Sequence, residues 1–417
     1  MFTAFSTALS GLTANATAIN VIGNDLANLN TTGYKASEIS FRDLIGQSLG
    51  TGANSGQVGL GVGSVNAARN YTQGSIQTTG GAMDQAIEGS GFFVVKDQNN
   101  QTLYTRDGSF HVDSSGNVIT GTGAKVQGWT ATAGAVNATG AVGNLTVPLG
   151  ASLAATPTTT MSVALNLDSR VDTAAAAATF SSPIQAVDSL GASHTLTVTF
   201  TKTAANSWNY AVTIPNADLQ AGGAGPLASG AITFDPNGQI LTPAVAAGTV
   251  AVKAAGLADG AADLNISWNL YSPSGQSAIT QFAEASATAA ATQNGYSAGQ
   301  LSKLSLEDNG ALVANYSNGQ QMTVGQIALA SIGNPDTMTA VGNNNFAVSA
   351  ATAQPAIGAA NTGSRGQIIG GALESSTVDI SQEFTQLLTV QRSYQANSRV
   401  ITASDQLLQD AINMIHP

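Results

Sequence analysis

The sequence predicts a mainly β protein with long terminal α-helices: a nested multi-domain chain whose coiled-coil-type helical N- and C-termini flank two β-rich domains. Three observations carry this prediction. Large apolar residues recur every seven positions at both ends of the chain. Between them lie short alternating or continuous apolar runs, punctuated by Asp-Gly and Asn-Gly pairs that favour tight turns. No proline precedes Pro148, whereas ten of the eleven fall between Pro148 and Pro355, so composition shifts inside the β region.

The C-terminal repeat is the strongest. Ile380, Leu387, Tyr394, Ile401, Leu408 and Ile415 are spaced by seven, one apolar residue every two helical turns. The alternate core position reads as weaker, with Phe384 and Ile412 at its ends but Gln391, Ser398 and Asp405 in the middle. Neither Pro nor Gly interrupts the run, although the chain holds 46 Gly. Such a helix spans about 55 Å. Asp379 can cap its start, Gln382 and Glu383 lie in the first turn, and Pro417 ends it. A core helix of a globular domain would show a similar stripe. No following segment could cover this one, so a helix that packs on partner helices is expected.

The N-terminus matches it. Phe5, Leu12, Ile19 and Leu26 are spaced by seven, with Phe2, Leu9 and Ala16 in the alternate seam. The four N-terminal and six C-terminal heptad residues are the candidate self-assembly residues. Alone they are too few. Each contributes about 1.5–3 kcal/mol on full burial, whereas backbone ordering costs about 1–2 kcal/mol per residue. Gly11, Gly23 and the many Thr and Asn residues weaken the first helix further. The expected behaviour is termini that are loose in the isolated chain and helical on assembly.

Between the helices the segments follow in order. The terminal helical domain takes 1–30 and 372–417. Ala27–Lys35 carries helix-stop chemistry in its Asn and Gly residues. Residues 31–70 and 355–371 read as extended linkers, rich in Gly, Ser, Asn and Ala. A middle β-domain takes 71–147 and 295–354. In it Gly91–Val95 reads as a strand buried on both faces, Tyr104–Phe110 as a hairpin turning at Asp107-Gly108, and Ser115-Gly116-Asn117 as a turn. Asn309-Gly310 and Asn318-Gly319 separate three short strands, and Gln326–Ser331 reads as another. An inserted outer β-domain takes 148–294. There Thr195–Phe200 and Trp208–Ile214 alternate, Asp235–Gly238 is a turn and Asn265–Tyr271 a strand. Ala174–Ala178 fits helix or loop equally.

Composition excludes several functions. Charged residues make up 9% and net charge is −11, which disfavours nucleic acid or an anionic membrane as partner. The absence of Cys removes disulfides and thiolate metal sites and suits an exported protein. No apolar run approaches the roughly 18 residues of a membrane-inserted span. The first charge is Asp25 and the first basic residue Lys35, so the start lacks the basic segment of a cleaved secretory signal. Export, if it occurs, is expected without one.

Candidate chemistry is sparse. Gly46–Gly50 spells G-x-S-x-G, but a Gly-rich loop follows where a nucleophile elbow needs a helix. Gly59–Gly63 resembles part of a dinucleotide loop, again without a helix, and reads as flexible linker. His111, His194 and His416 lie in three segments and make no ligand set at useful spacing. Asp107, Asp113 and Asp235 occupy turn positions, where Asp is common for backbone reasons. Trp129, Trp208 and Trp268 are spread over different strands, unlike the clustered aromatics of a sugar site. No catalytic, cofactor-binding or metal residue is expected, and no enzyme.

Five stretches together resemble the bacterial flagellar axial proteins, the rod and hook family: Ala27–Lys35 (ANLNTTGYK), Asp84–Val95 (DQAIEGSGFFVV), Tyr104–Phe110 (YTRDGSF), Leu373–Phe384 (LESSTVDISQEF) and Gln391–Ile401 (QRSYQANSRVI). Thr377 stands where the family usually has Asn, and both residues can cap a helix. The likeness covers roughly residues 1–145 and 295–417. Asp188–Phe200 (DSLGASHTLTVTF) is similar to the inserted domain of hook-type members, and the length fits them. A distal rod or hook-associated member is the alternative. The resemblance implies an extracellular, self-assembling structural subunit of a flexible tube that transmits torque. Its terminal helices would line the inner core and its inserted domain the outer surface. The implied partners are further copies of itself, a hook cap protein during assembly, a distal rod protein and a hook–filament junction protein at the ends, and the flagellar type III export apparatus.

Overall fold

A computed structural model describes residues 2–44, 47–49, 56–173, 178–220 and 225–415. It is mainly β, with one long helix near each end: α1 (Phe2–Ala27) and α2 (Ile380–Ile415). The chain divides into two compact units. One comprises Met1–Leu149, Lys303–Ala314 and Gln321–Pro417; the other comprises Gly150–Ser302 and Asn315–Gln320.

In the helix-bearing unit the Phe92–Lys96 strand is central. It pairs antiparallel with Thr102–Thr105, Lys125–Thr132 and Leu329–Ser331. Phe92, Phe93, Val94 and Val95 are all buried, which is why this run is continuously apolar instead of alternating. Phe92 stacks edge-on with Tyr71 and Phe346 at centroid distances of 5.9 and 6.1 Å, and Phe93 with Phe110 at 5.0 Å. Segments expected as linkers carry paired strands. Ser37–Ser40 pairs with Asn66–Arg69, Ala356–Gly358 with Leu329–Ser331, and Gln367–Gly370 with Gln85–Glu88.

The inserted unit holds two five-stranded sheets. One is a meander in chain order: Thr179–Val187, Ser193–Ala204, Ser207–Thr213, Ala228–Phe234 and Ile240–Thr242. In the other, Thr160–Asp168 pairs parallel with Leu264–Asn269 and Ile279–Phe282, and antiparallel with Ala287–Gln293. Strict alternation puts Leu196, Val198, Phe200, Trp208, Tyr210 and Val212 into one core. There Trp268 meets Tyr210 edge-on at 5.2 Å.

Turn chemistry explains several connections. Asn309 (φ 64°) and Gly310 (φ 73°) turn between Gly299–Leu306 and Ala311–Tyr316. The Asp235 carboxylate accepts the Asn237 and Gln239 N–H groups to close its own turn. Tyr104–Phe110 differs from expectation. Its two strands do not pair with each other: Thr102–Thr105 pairs with Phe92–Lys96 and Asn345–Ala347, and Phe110–Val112 pairs with Val118–Thr120. Gly108 is there for close approach, because a Cβ would collide with the Gln85 backbone. Gly59–Gly63 is likewise more than linker. Gly61, at φ 101°, lies against α1, and the Val62 N–H donates to Ser10 Oγ at 3.1 Å. Gly46 and Gly50 of the G-x-S-x-G stretch, Ala174–Ala177, His416 and Pro417 lie outside the described residues.

Candidate assembly site: the helix pair and its charged junction

The two helices pack antiparallel. Gly11 faces Asn397, where an added Cβ would come within 2.9 Å of Nδ2, while Asp25 and Glu383 approach each other at the other end. The Asp379 carboxylate caps α2, accepting the Ser381 and Gln382 N–H groups at 2.8 and 3.1 Å.

On α1 the buried seam is Ala8, Gly11, Asn15, Ala18, Ile22 and Asp25, spaced three and four apart. On α2 the half-buried line is Leu387, Val390, Tyr394, Asn397, Ile401, Ser404 and Leu408. Large side chains of α2 thus sit over small ones of α1. The heptad series Leu387, Tyr394, Ile401 and Leu408 belongs to this intrachain seam. Ile380 is exposed at the start of the helix, and Ile415 closes it. The alternate position differs from the expected one. It holds Val390, Asn397 and Ser404 together with the expected Ser398, whereas the expected Gln391 and Asp405 are exposed and Phe384 and Ile412 point outward. On α1 the expected series Phe5, Leu12, Ile19 and Leu26 flanks the seam and stays partly exposed.

Two apolar lines therefore remain on the pair. One is Phe5, Leu9, Leu12, Ile19 and Leu26 of α1. The other is scattered along α2, with Phe384, Leu388, Val400, Leu407, Ile412 and Met414 all at least 45% exposed. Beside the start of α2 runs a groove of about 630 Å³, lined by Ile39, Phe41, Glu383, Gln386 and Val390. Burial, reinforced by Asp25 and Asp379, raises the Glu383 carboxyl above its ordinary range.

The helices are tied to the β-structure through one buried carboxylate. Glu374 Oε1 accepts from Lys35 Nζ at 2.7 Å and from the Gly74 N–H at 2.8 Å, and Oε2 accepts from Arg106 Nη1 at 3.1 Å. The side chains of Lys35 and Glu374 are wholly buried, and that of Arg106 is 5% exposed. Burial lowers both cations' pKa values, and Glu374 opposes that shift. Arg106 also donates to the Ile87 and Gly89 carbonyls and lies over the Phe92 ring at 5.3 Å. Beside this cluster, Asp25 of α1 accepts from the Tyr34 hydroxyl at 2.7 Å and from the Ser37 N–H at 2.9 Å. Burial and then Asp25 push the Tyr34 phenol upward. Thr377 does not cap α2; its hydroxyl accepts the Ala36 N–H at 2.9 Å and so joins the two chain ends. Gly33, at φ 66°, leaves room where a Cβ would meet the Arg106 carbonyl carbon at 2.7 Å.

Outside this unit, the fold gathers one histidine with two acids. Among the described residues, Asp188, His194 and Asp259 bring one potential ligand atom each within 4.8 Å of one another. His194 and Asp259 are far apart in sequence, and only the fold makes them neighbours.

Four family models match consecutive parts of the chain. Residues 5–35 match "Flagella basal body rod protein" and 86–166 match "Flagellar hook protein FlgE/F/G D1 domain". Residues 166–296 match "Flagellar basal body protein FlaE D2 domain" and 369–414 match "Flagellar basal body rod FlgEFG protein C-terminal". Near-full-length relatives are more specific. Flagellar hook protein FlgE of Escherichia coli K12 is 33% identical over 99% of this chain and 100% of its own. Its counterpart in Treponema pallidum is 32% identical over 97% and 98%, and that of Salmonella typhimurium 33% over 98% and 99%. The chain belongs to the flagellar hook protein FlgE family. It is a family of structural proteins of the flagellar hook. The hook-family segments also account for the junction: Lys35 closes the first match, Arg106 falls in the second and Glu374 in the last.

Proposed function

We infer that this chain is the structural subunit of a bacterial flagellar hook, polymerising into a flexible tube that acts as a universal joint between motor and filament. One observation supports this most: both helices leave large apolar residues outside their shared seam, where α1 contributes mostly small residues. A monomer gains nothing from that arrangement, since each such residue contributes about 1.5–3 kcal/mol only when covered. The proposed self-assembly residues are Phe5, Leu12, Ile19 and Leu26 on α1, with Phe384, Leu388, Val400 and Leu407 on α2. Of the C-terminal heptad series, Leu387, Tyr394, Ile401 and Leu408 shape the pair that presents them, and Ile380 and Ile415 stay among the proposed assembly residues. Under this reading the subunit is extracellular, leaves the cell through the type III route, and has no catalytic role. Its partners are the hook cap, the distal rod protein and the hook–filament junction protein. The terminal helices form the inner tube, 71–147 with 295–354 the middle shell, and 148–294 the outer surface.

Electron microscopy of polymer made from the chain tests the reading. Curved, bending tubes with a central channel support it. Straight, stiff tubes would point to a distal rod role, and a chain that restores no hook in cells lacking their own hook subunit refutes both.

A further inference from the structure

We propose that His194 is a proton-operated clamp in the inserted unit: its imidazolium bridges Asp188 and Asp218, with Asp259 alongside, and its deprotonation releases the three loops that carry these carboxylates.

The geometry asks for two donors on one ring. His194 Nε2 lies 2.9 Å from Asp188 Oδ2, and Nδ1 lies 3.3 Å from Asp218 Oδ2. A neutral imidazole carries one N–H, so one ring nitrogen would turn a lone pair on a carboxylate. Only the protonated ring satisfies both. Asp259 Oδ2 is a third acceptor at 3.8 Å from Nε2. His194 and Asp188 are buried, so water does little to screen these charges.

The carboxylates come from three loops. Asp188 follows Thr179–Val187, and its Oδ1 already accepts the Leu190 and Ala192 N–H groups. Asp218 ends the short turn after Ser207–Thr213. Asp259 follows Thr249–Ala254 and accepts the Ala261 N–H. These loops also touch one another: the Ala258 N–H donates to the Asp218 carbonyl and the Ala262 N–H to Ser189 Oγ. The cluster therefore pins loops from both sheets of this unit. A divalent cation among Asp188, His194 and Asp259 is the competing occupant. Asp218 would accept from Nδ1–H in either case, so the two occupants differ only at Nε2, and its 2.9 Å distance to Asp188 Oδ2 is that of a direct hydrogen bond.

Titration behaviour agrees. Burial would lower the His194 pKa, but Asp188 and Asp218 outweigh it and hold the value above the ordinary one. Burial likewise raises Asp188, but its bonds to Asp259, His194 and the loop amides hold it down at about 2. A raised histidine stabilises fully below its unfolded pKa, and that contribution is lost as pH rises through the folded value. A lowered aspartate contributes above its unfolded pKa and is lost as pH falls through about 2. The clamp thus holds between about pH 2 and the raised His194 pKa and opens as pH rises through the latter.

Hydrogen exchange by mass spectrometry on the full chain, from pH 6 to 9 and corrected for intrinsic rates, tests this. Peptides covering 188–192, 216–220 and 256–262 should lose protection progressively as pH rises, because the raised His194 pKa couples loop closure to its proton. Peptides from Ser207–Thr213 should stay constant. His194→Gln should be poorly protected and flat with pH. As a check that needs no variant, NMR of ¹³C-labelled histidine should place His194 above the ordinary imidazole value of about 6.5. Flat protection in the unaltered chain, or His194 titrating at or below that value, overturns the clamp. So does loss of protection on adding EDTA at pH 7 with recovery on adding zinc, which would make the occupant a metal ion.

Discussion

Replacing Glu374 by Gln should be the most damaging single polar change in the helix-bearing unit. The substitution keeps shape and the acceptor for the Gly74 N–H but removes the only negative charge facing Lys35 and Arg106 among the described residues. An exposed ion pair is worth about 0–1 kcal/mol. This one is not exposed, and removing one partner from a buried set costs about 3–5 kcal/mol. Lys35 keeps the Thr72 carbonyl, and Arg106 keeps those of Ile87 and Gly89, so a cost of about 3 kcal/mol is expected within that range. At about 2–4 °C per kcal/mol for a unit of this size, its melting transition should fall by about 6–12 °C. Scanning calorimetry on the full chain reads this directly. Lys35→Met should cost less, because Glu374 keeps Arg106 and the Gly74 amide. The double variant should regain about 1 kcal/mol or more over Glu374→Gln alone, as coupled buried charges do. A Glu374→Gln chain within about 1 kcal/mol of the parent, or a double variant costing the sum of the two singles, would refute the reasoning.

Other outcomes follow from the helix pair. Leu407→Asp, on the outer face of α2, should abolish polymer formation in sedimentation assays while leaving the monomer's melting unchanged. Leu387→Asp and Ile401→Asp should abolish it too, but with loss of helical circular dichroism because they face α1; Gln391 and Asp405 variants should matter less. Gly11→Leu forces a side chain into Asn397 and should cost about 1–3 kcal/mol, read as lower helicity at 222 nm. Gly33→Ala combines a positive φ with a clash against the Arg106 backbone and should lower the unit's melting temperature, whereas Gly23→Ala, which meets nothing within 4 Å, should raise it slightly. Finally, the helix pair of the isolated chain, formed but marginal, should be cut by protease before the β-units and become protected on polymerisation; a pair as resistant as the β-units in dilute monomer would show that it is stable without neighbours.

The sequence made the β-structure and α2 readable because their signals are local. Alternation in Ser193–Ala204, Asn-Gly turns and the Asp379 cap each act within a few residues. The seam of α1 was hidden for a physical reason. Apart from Ile22 and Asp25 its buried positions are Ala, Gly and Asn, which allow close approach, so a search for large apolar residues finds the flanking line instead. The charged junction was hidden by distance, since Lys35 and Glu374 are 339 residues apart and Arg106 and Glu374 are 268 apart. A signal did exist: in a chain with so few charges, each of the three sits inside a stretch that resembles the hook family. In the His194 cluster, Asp188 and His194 share the Asp188–Phe200 stretch that resembles hook-type members, but Asp218 and Asp259 occupy turns where Asp is common anyway, so nothing local joined them to it.

The antiparallel arrangement of α1 and α2 bears on how the protein can be labelled. It brings Phe2 and Ile415 to the same end of one narrow helix pair, the part proposed to line a channel. An affinity tag or fluorescent fusion on either end would occupy that same confined place, and two small tags would meet each other. Reporters belong in exposed hairpin tips of the inserted unit instead, such as the turn at Asn206 between Ser193–Ala204 and Ser207–Thr213.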